Sequence, residues 1–178
     1  MQKYVLQIDR NEDEMSWGFI PNSLWKIILR DFVQKHADGL GFDGILHGGD
    51  LSQIFGLEQW NPNTSFRCEI LTSFLNKQNN RISVSRKMAV FPYIAEAKHV
   101  LQNVDFDQWK SYNVKYPIDY LYLFKGHRIL MEAIPFESTL VFYLDSGLYT
   151  ELIQLDQLLK DNLRVPQNNP NVEVRLIE

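Results

Sequence analysis

Four histidines, a single cysteine and twenty-two carboxylates are the first side chains to weigh for proton transfer, nucleophilic attack or metal binding. The densest cluster is Ile45-Leu46-His47-Gly48-Gly49-Asp50-Leu51, where an imidazole and a carboxylate flank two glycines at the end of an apolar run. Such a pair suits general acid–base work or metal ligation. It equally suits a glycine-rich turn in which Asp50 caps the next segment, and that is the favoured reading. The other histidines are scattered. His36 falls near a helix end, where a cation complements the dipole. His99 belongs to the helical stretch Ala97-Lys98-His99-Val100, and His127 to the loop Lys125-Gly126-His127-Arg128. A small metal-dependent hydrolase or transferase built on His47 and Asp50, joined by His127, is therefore the enzymatic alternative. Cys68, in Phe66-Arg67-Cys68-Glu69-Ile70-Leu71, reads as a small core residue. One cysteine excludes an internal disulfide and a cysteine-based zinc site. No cofactor and no metal are expected.

Two local resemblances bear on the same stretch. Ile45 to Leu51 resembles the strand-turn segment of calcineurin-like metallophosphoesterases, which implies a metal-binding role for Asp50. The Asp-x-His upstream and Gly-Asn-His downstream that complete that family's site do not occur in this chain. Gly41-Phe42-Asp43-Gly44-Ile45 after a helix looks like a segment of some ADP-ribosyltransferase-like domains, whose early-strand arginine and late glutamate have no assignable counterparts. There is no nucleophile elbow, no P-loop, no Gly-x-Gly-x-x-Gly and no His-Glu-x-x-His.

Charge and aromatic content point to surface recognition instead. The net charge is −4, with balances of −4 over residues 1–60, +3 over 61–120 and −3 over 121–178. An acidic chain lacks the positive field that nucleic-acid binding needs. The one basic cluster, Lys77, Arg81, Arg86 and Lys87, reads as a solvated face. Aromatic residues make up 13%, and Tyr and Trp are enriched where proteins meet. Carboxylates beside aromatics suit a basic protein partner. The candidate contact residues are Glu12, Asp13, Glu14, Asp105, Asp107, Tyr112, Tyr116 and Asp119. In general character the chain is similar to bacterial toxin-immunity proteins, including those of contact-dependent growth inhibition. This likeness is one of class, carried by no motif. It implies a non-catalytic protein that neutralises a basic toxin domain, with no functional residue transferred from the family. A structural or regulatory subunit of a larger assembly is a further alternative.

These residues need a scaffold. The length, 178 residues, and an apolar content of 45% suit one domain with a sizeable core. No apolar run approaches a membrane span, and the alternating start, Met1 to Asp9, is unlike a secretory leader. A cytoplasmic home is expected. Residues 3–9 read as a strand, as do 15–20, 42–47, 81–86 and 118–124. Leu24, Trp25, Ile28, Leu29 and Phe32 mark a helix that Asp38-Gly39 and Gly41 end. Phe66, Ile70, Leu71, Phe74 and Leu75 fit a second helix, and Ile94 to Val104 a third, with Pro92 in its first turn. The runs 129–134 and 139–144 flank Pro135-Phe136-Glu137-Ser138 as a hairpin. Leu148, Leu152, Leu155, Leu159 and Leu163 predict one long amphipathic helix, and Val172 to Leu176 a last strand. The expectation is a single α+β domain with a mostly antiparallel sheet and helices packed on one side.

Overall fold

Period-two patterning sets the sheet on which the rest of the described chain packs. In the computed structural model, which describes residues 1–8, 20–43, 64–75, 80–103, 105–106, 119–167 and 170–178, nine strands form one sheet. They are β1 (Gln2–Leu6), β2 (Gly39–Asp43), β3 (Phe66–Leu75), β4 (Arg81–Pro92), β5 (Tyr120–Lys125), β6 (Arg128–Ile134), β7 (Thr139–Leu144), β8 (Leu163–Arg164) and β9 (Asn171–Ile177). The order is β8-β1-β7-β6-β5-β2-β4-β3-β9, and all the pairings are antiparallel. The fold is α+β, as the patterning predicts.

Helices cover one face. The first, α1, runs without a break through Asn22–Ile27, Ile28–Val33 and Gln34–His36. Its buried pairs, Leu24/Trp25, Ile28/Leu29 and Phe32/Val33, recur every four residues. A helix of 3.6 residues per turn would rotate such pairs by about 40° at each step. The middle segment adopts the wider π-helical turn instead, which holds all three pairs on the core. Helix α2 is Ala95–Asn103, α3 is Ser146–Ile153 and α4 is Gln157–Asn162. Their apolar faces join Leu6, Leu40, Leu121, Leu123, Met131, Leu140, Phe142 and Leu144 of the sheet in the main core. Each fully buried large side chain there contributes about 1.5–3 kcal/mol. No described helix is long and apolar enough to cross a membrane.

The opposite face makes its own, smaller core. Strand alternation sends Cys68, Ile70, Met88, Val90, Tyr122, Phe124 and Ile129 to that side. The sheet curls toward it, so Val172 and Val174 of β9 pack on the same cluster as Tyr143 of β7. Gly41 of β2 makes the curl dense: a Cβ there would lie 3.0 Å from Met88 Sδ and 3.2 Å from Phe124 Cε2. A bulge in the β5–β6 ladder between Leu123 and Phe124 lets Leu130 and Met131 both face the helices while Ile129 faces the curl.

Four sequence expectations are corrected. Residues 66–75 form β3, not a helix. Their apolar positions satisfy both periods, and ladders to β4 and β9 on either side settle the choice. The leucine stripe is broken at Asp156, whose extended backbone and side chain start a second helix by accepting the Leu158 N–H at 2.8 Å. Leu163 consequently belongs to β8. Gly39 and Gly41 lie within β2, and Pro92 closes β4, with α2 starting at Ala95. The hairpin of β6 and β7, the β9 strand and helices α1 and α2 are where the patterning put them. Most of the expected 15–20 strand and the 44–47 part of the expected 42–47 strand lie outside the described residues.

Candidate functional site

Glu132 is the one charged side chain in the apolar run Ile129–Ile134, and β6 alternation turns it into the curl with only 9% of its surface exposed. Two phenols meet it there. Tyr122, one strand away on β5, donates to Oε1 at 3.1 Å, and Tyr143, on β7, donates to Oε2 at 3.2 Å. The carboxylate thus ties three adjacent strands together on one face. Burial pushes the Glu132 carboxyl above its ordinary range, although Tyr122, Lys3, Arg86 and Tyr143 all pull it down. Burial raises both phenols as well, helped by the negative charge of Glu132.

Two cations complete the cluster. Lys3 of β1 sits opposite Tyr143, with Nζ 6.0 Å from that ring. Burial lowers its pKa while Glu132 opposes the shift. Arg86 of β4 lies 3.9 Å over the Tyr120 ring and 3.6 Å from Asp43 Oδ2. Tyr120 in turn stacks on Tyr122 with an interplanar angle of 17°. The polar groups of the curled face are therefore largely satisfied by one another, the arrangement that makes buried charge tolerable.

Beside this cluster two contiguous clefts of about 350 Å³ and 310 Å³ share Met1, Arg128, Ile129 and Tyr143. Together they form a groove. Its apolar lining comes from Ile129, Leu130, Leu148, Val172 and Val174, and its basic rim from Lys125, His127 and Arg128. The rim is the β5–β6 turn. Gly126, at φ 57°, supplies the positive φ that a two-residue hairpin connection needs, and its N–H bonds both carboxylate oxygens of Asp38 at 2.9 and 3.0 Å. His127 packs edge-on against Phe66, with centroids 4.9 Å apart. Asp145, the one acid among the described residues lining the groove, is engaged as the cap of α3 through the Leu148 N–H at 2.9 Å.

The residues singled out from sequence fare variously. Glu12, Asp13, Glu14, Asp107, Tyr112 and Tyr116 lie outside the described residues, as do His47 and Asp50. Asp105 pairs with Lys26 of α1 at 3.2 Å. Asp119 precedes β5 and is half-buried. Burial and then the neighbouring Asp43 raise its pKa, with Arg86 opposing. Asp105 thus lies against α1 and Asp119 beside Asp43 and Arg86. His36 bonds Glu151 of α3 at 2.8 Å, while His99 is exposed on α2 beside Asn103. Cys68 is fully buried, and burial pushes its thiol up to about 11. The basic cluster is split by alternation, since Arg86 faces the curl while Lys87 pairs with Glu69 across the other face. Among the described residues no three His, Cys, Asp or Glu side chains are grouped to hold a metal ion. Sequence reasoning missed Glu132 and Lys3. The available signal was a lone carboxylate inside an apolar hairpin strand.

Compared with protein-family models, with curated proteins and with solved structures, the chain matches none.

Proposed function

We propose that this chain is a non-catalytic protein-binding domain that takes a partner segment into the groove between β9 and the β5–β6 turn. The observation that carries the reading is the combination of an apolar floor, Ile129, Val172 and Val174, with the basic rim Lys125, His127 and Arg128. Apolar anchors supply affinity, and a charged rim sets approach and register. The complementary ligand is an extended segment that alternates leucine with aspartate or glutamate. The Glu132 cluster supports this use because it fixes the Tyr143 wall of the groove. A labelled leucine–glutamate peptide should bind, a leucine–lysine peptide should not, and a variant carrying both Lys125→Glu and Arg128→Glu should reverse that preference. Equal binding of both peptides by the parent protein would remove the support for the groove.

A second reading keeps the partner basic, as a toxin domain neutralised by an immunity protein. The net charge of −4 and the carboxylate-rich stretch Glu12-Asp13-Glu14 favour it. Its test is co-purification with the product of the adjacent gene: a stable stoichiometric complex with a basic protein supports it, and its absence counts against it.

A further inference from the structure

The two edges of the sheet are built differently. β8 is two residues long, which blunts that edge. β9 is seven residues long, pairs in unbroken register with β3, and contains no proline, glycine or lysine. No proline and no bulge interrupts it, and its two charged side chains, Glu173 and Arg175, are of opposite sign and offset one another. Among the described residues its backbone pairs with β3 alone.

The sequence of this edge is self-complementary. Glu173 and Arg175 lie on the same, outer face and already meet at 2.9 Å, and both are about half exposed. An antiparallel copy centred on Val174 would place Glu173 of one chain opposite Arg175 of the other, twice, by symmetry. It would also place Val172 opposite Leu176, which is 54% exposed in the single chain, on the curled face. Opposite charges and apolar pairs directly across a ladder stabilise it, and like charges destabilise it. A two-fold contact of this kind is isologous, so each residue is used once on each side.

We propose that a second copy of this chain docks on β9, joining two sheets into one through an antiparallel β9–β9 pair about Val174. The proposal is independent of the groove's ligand. The charges give a test that folding defects cannot imitate. Sedimentation of the full chain at sub-millimolar concentration should show a dimer. Glu173→Arg sets Arg against Arg175, and Arg175→Glu sets Glu against Glu173. Each single variant should weaken the dimer about tenfold or more. An equimolar mixture of the two variants restores both opposite-charge pairs and should recover the dimer. So should the chain carrying both exchanges. Amide exchange across 171–177 should slow as the parent protein is concentrated. A parent protein that stays monomeric overturns the proposal. So do single variants that dimerise as well as the parent, and a mixture that fails to recover the dimer while its components remain folded.

Discussion

Replacing Glu132 by leucine probes the polar cluster with a side chain of similar size. The hydroxyls of Tyr122 and Tyr143 lose their acceptor. A buried hydroxyl left unpaired costs about 1–3 kcal/mol. Tyr122 is fully enclosed and carries that cost, whereas Tyr143 borders the groove, where water reaches it. Lys3 and Arg86 also lose a nearby opposite charge. Against this, leucine removes the desolvation cost of a buried carboxylate. The net expectation is a loss of about 2–3 kcal/mol at neutral pH. Glutamine, which keeps the shape and one acceptor, should cost about 1 kcal/mol. The pH dependence separates this account from simple loss of packing. Because burial raises the Glu132 pKa in the folded state, the stability it contributes is complete below the ordinary carboxyl range and is lost as pH rises through the folded value. The slope is at most about 1.4 kcal/mol per pH unit. Urea unfolding of the parent, Glu132→Gln and Glu132→Leu at a series of pH values measures both quantities. In the difference between parent and Glu132→Gln this slope should appear. Parallel pH profiles for all three proteins would refute the reasoning.

Other expectations follow from single residues. Ser138 is buried with a left-handed φ of 48° and a hydroxyl that has no hydrogen-bond partner among the described residues, so Ser138→Gly should raise the melting temperature, a gain of about 1 kcal/mol. Cys68, held up to about 11 by burial, should react with a thiol reagent about a hundredfold or more slowly at mildly alkaline pH until denaturant is added. Asp156→Ala removes the cap between α3 and α4 and should cost about 1 kcal/mol in urea unfolding.

The parts of the fold visible in sequence are those set by neighbouring residues. The hairpin of β6 and β7 announces itself through two apolar runs around Pro135-Phe136-Glu137-Ser138. Helix α1 is equally plain, because its buried pairs repeat along one segment. β3 was hidden because Phe66, Ile70, Leu71, Phe74 and Leu75 fit a helix, while Phe66, Cys68 and Ile70 fit a strand. Only distant partners, β4 and β9, decide between them. One aspartate, Asp156, turns a continuous leucine stripe into two helices and a strand. The site was harder still. Lys3, Arg86, Tyr122, Glu132 and Tyr143 come from five strands, and sheet order alone makes them neighbours.

The position a ligand takes on the sheet is the most direct test of the groove. Nuclear magnetic resonance of the methyl groups during titration with the leucine–glutamate peptide locates it. Signals of Ile129, Val172 and Val174 should shift together and saturate, while those of Leu24, Ile28 and Leu152 under the helices stay in place. Shifts confined to the helical side, or spread evenly over both cores, would contradict it.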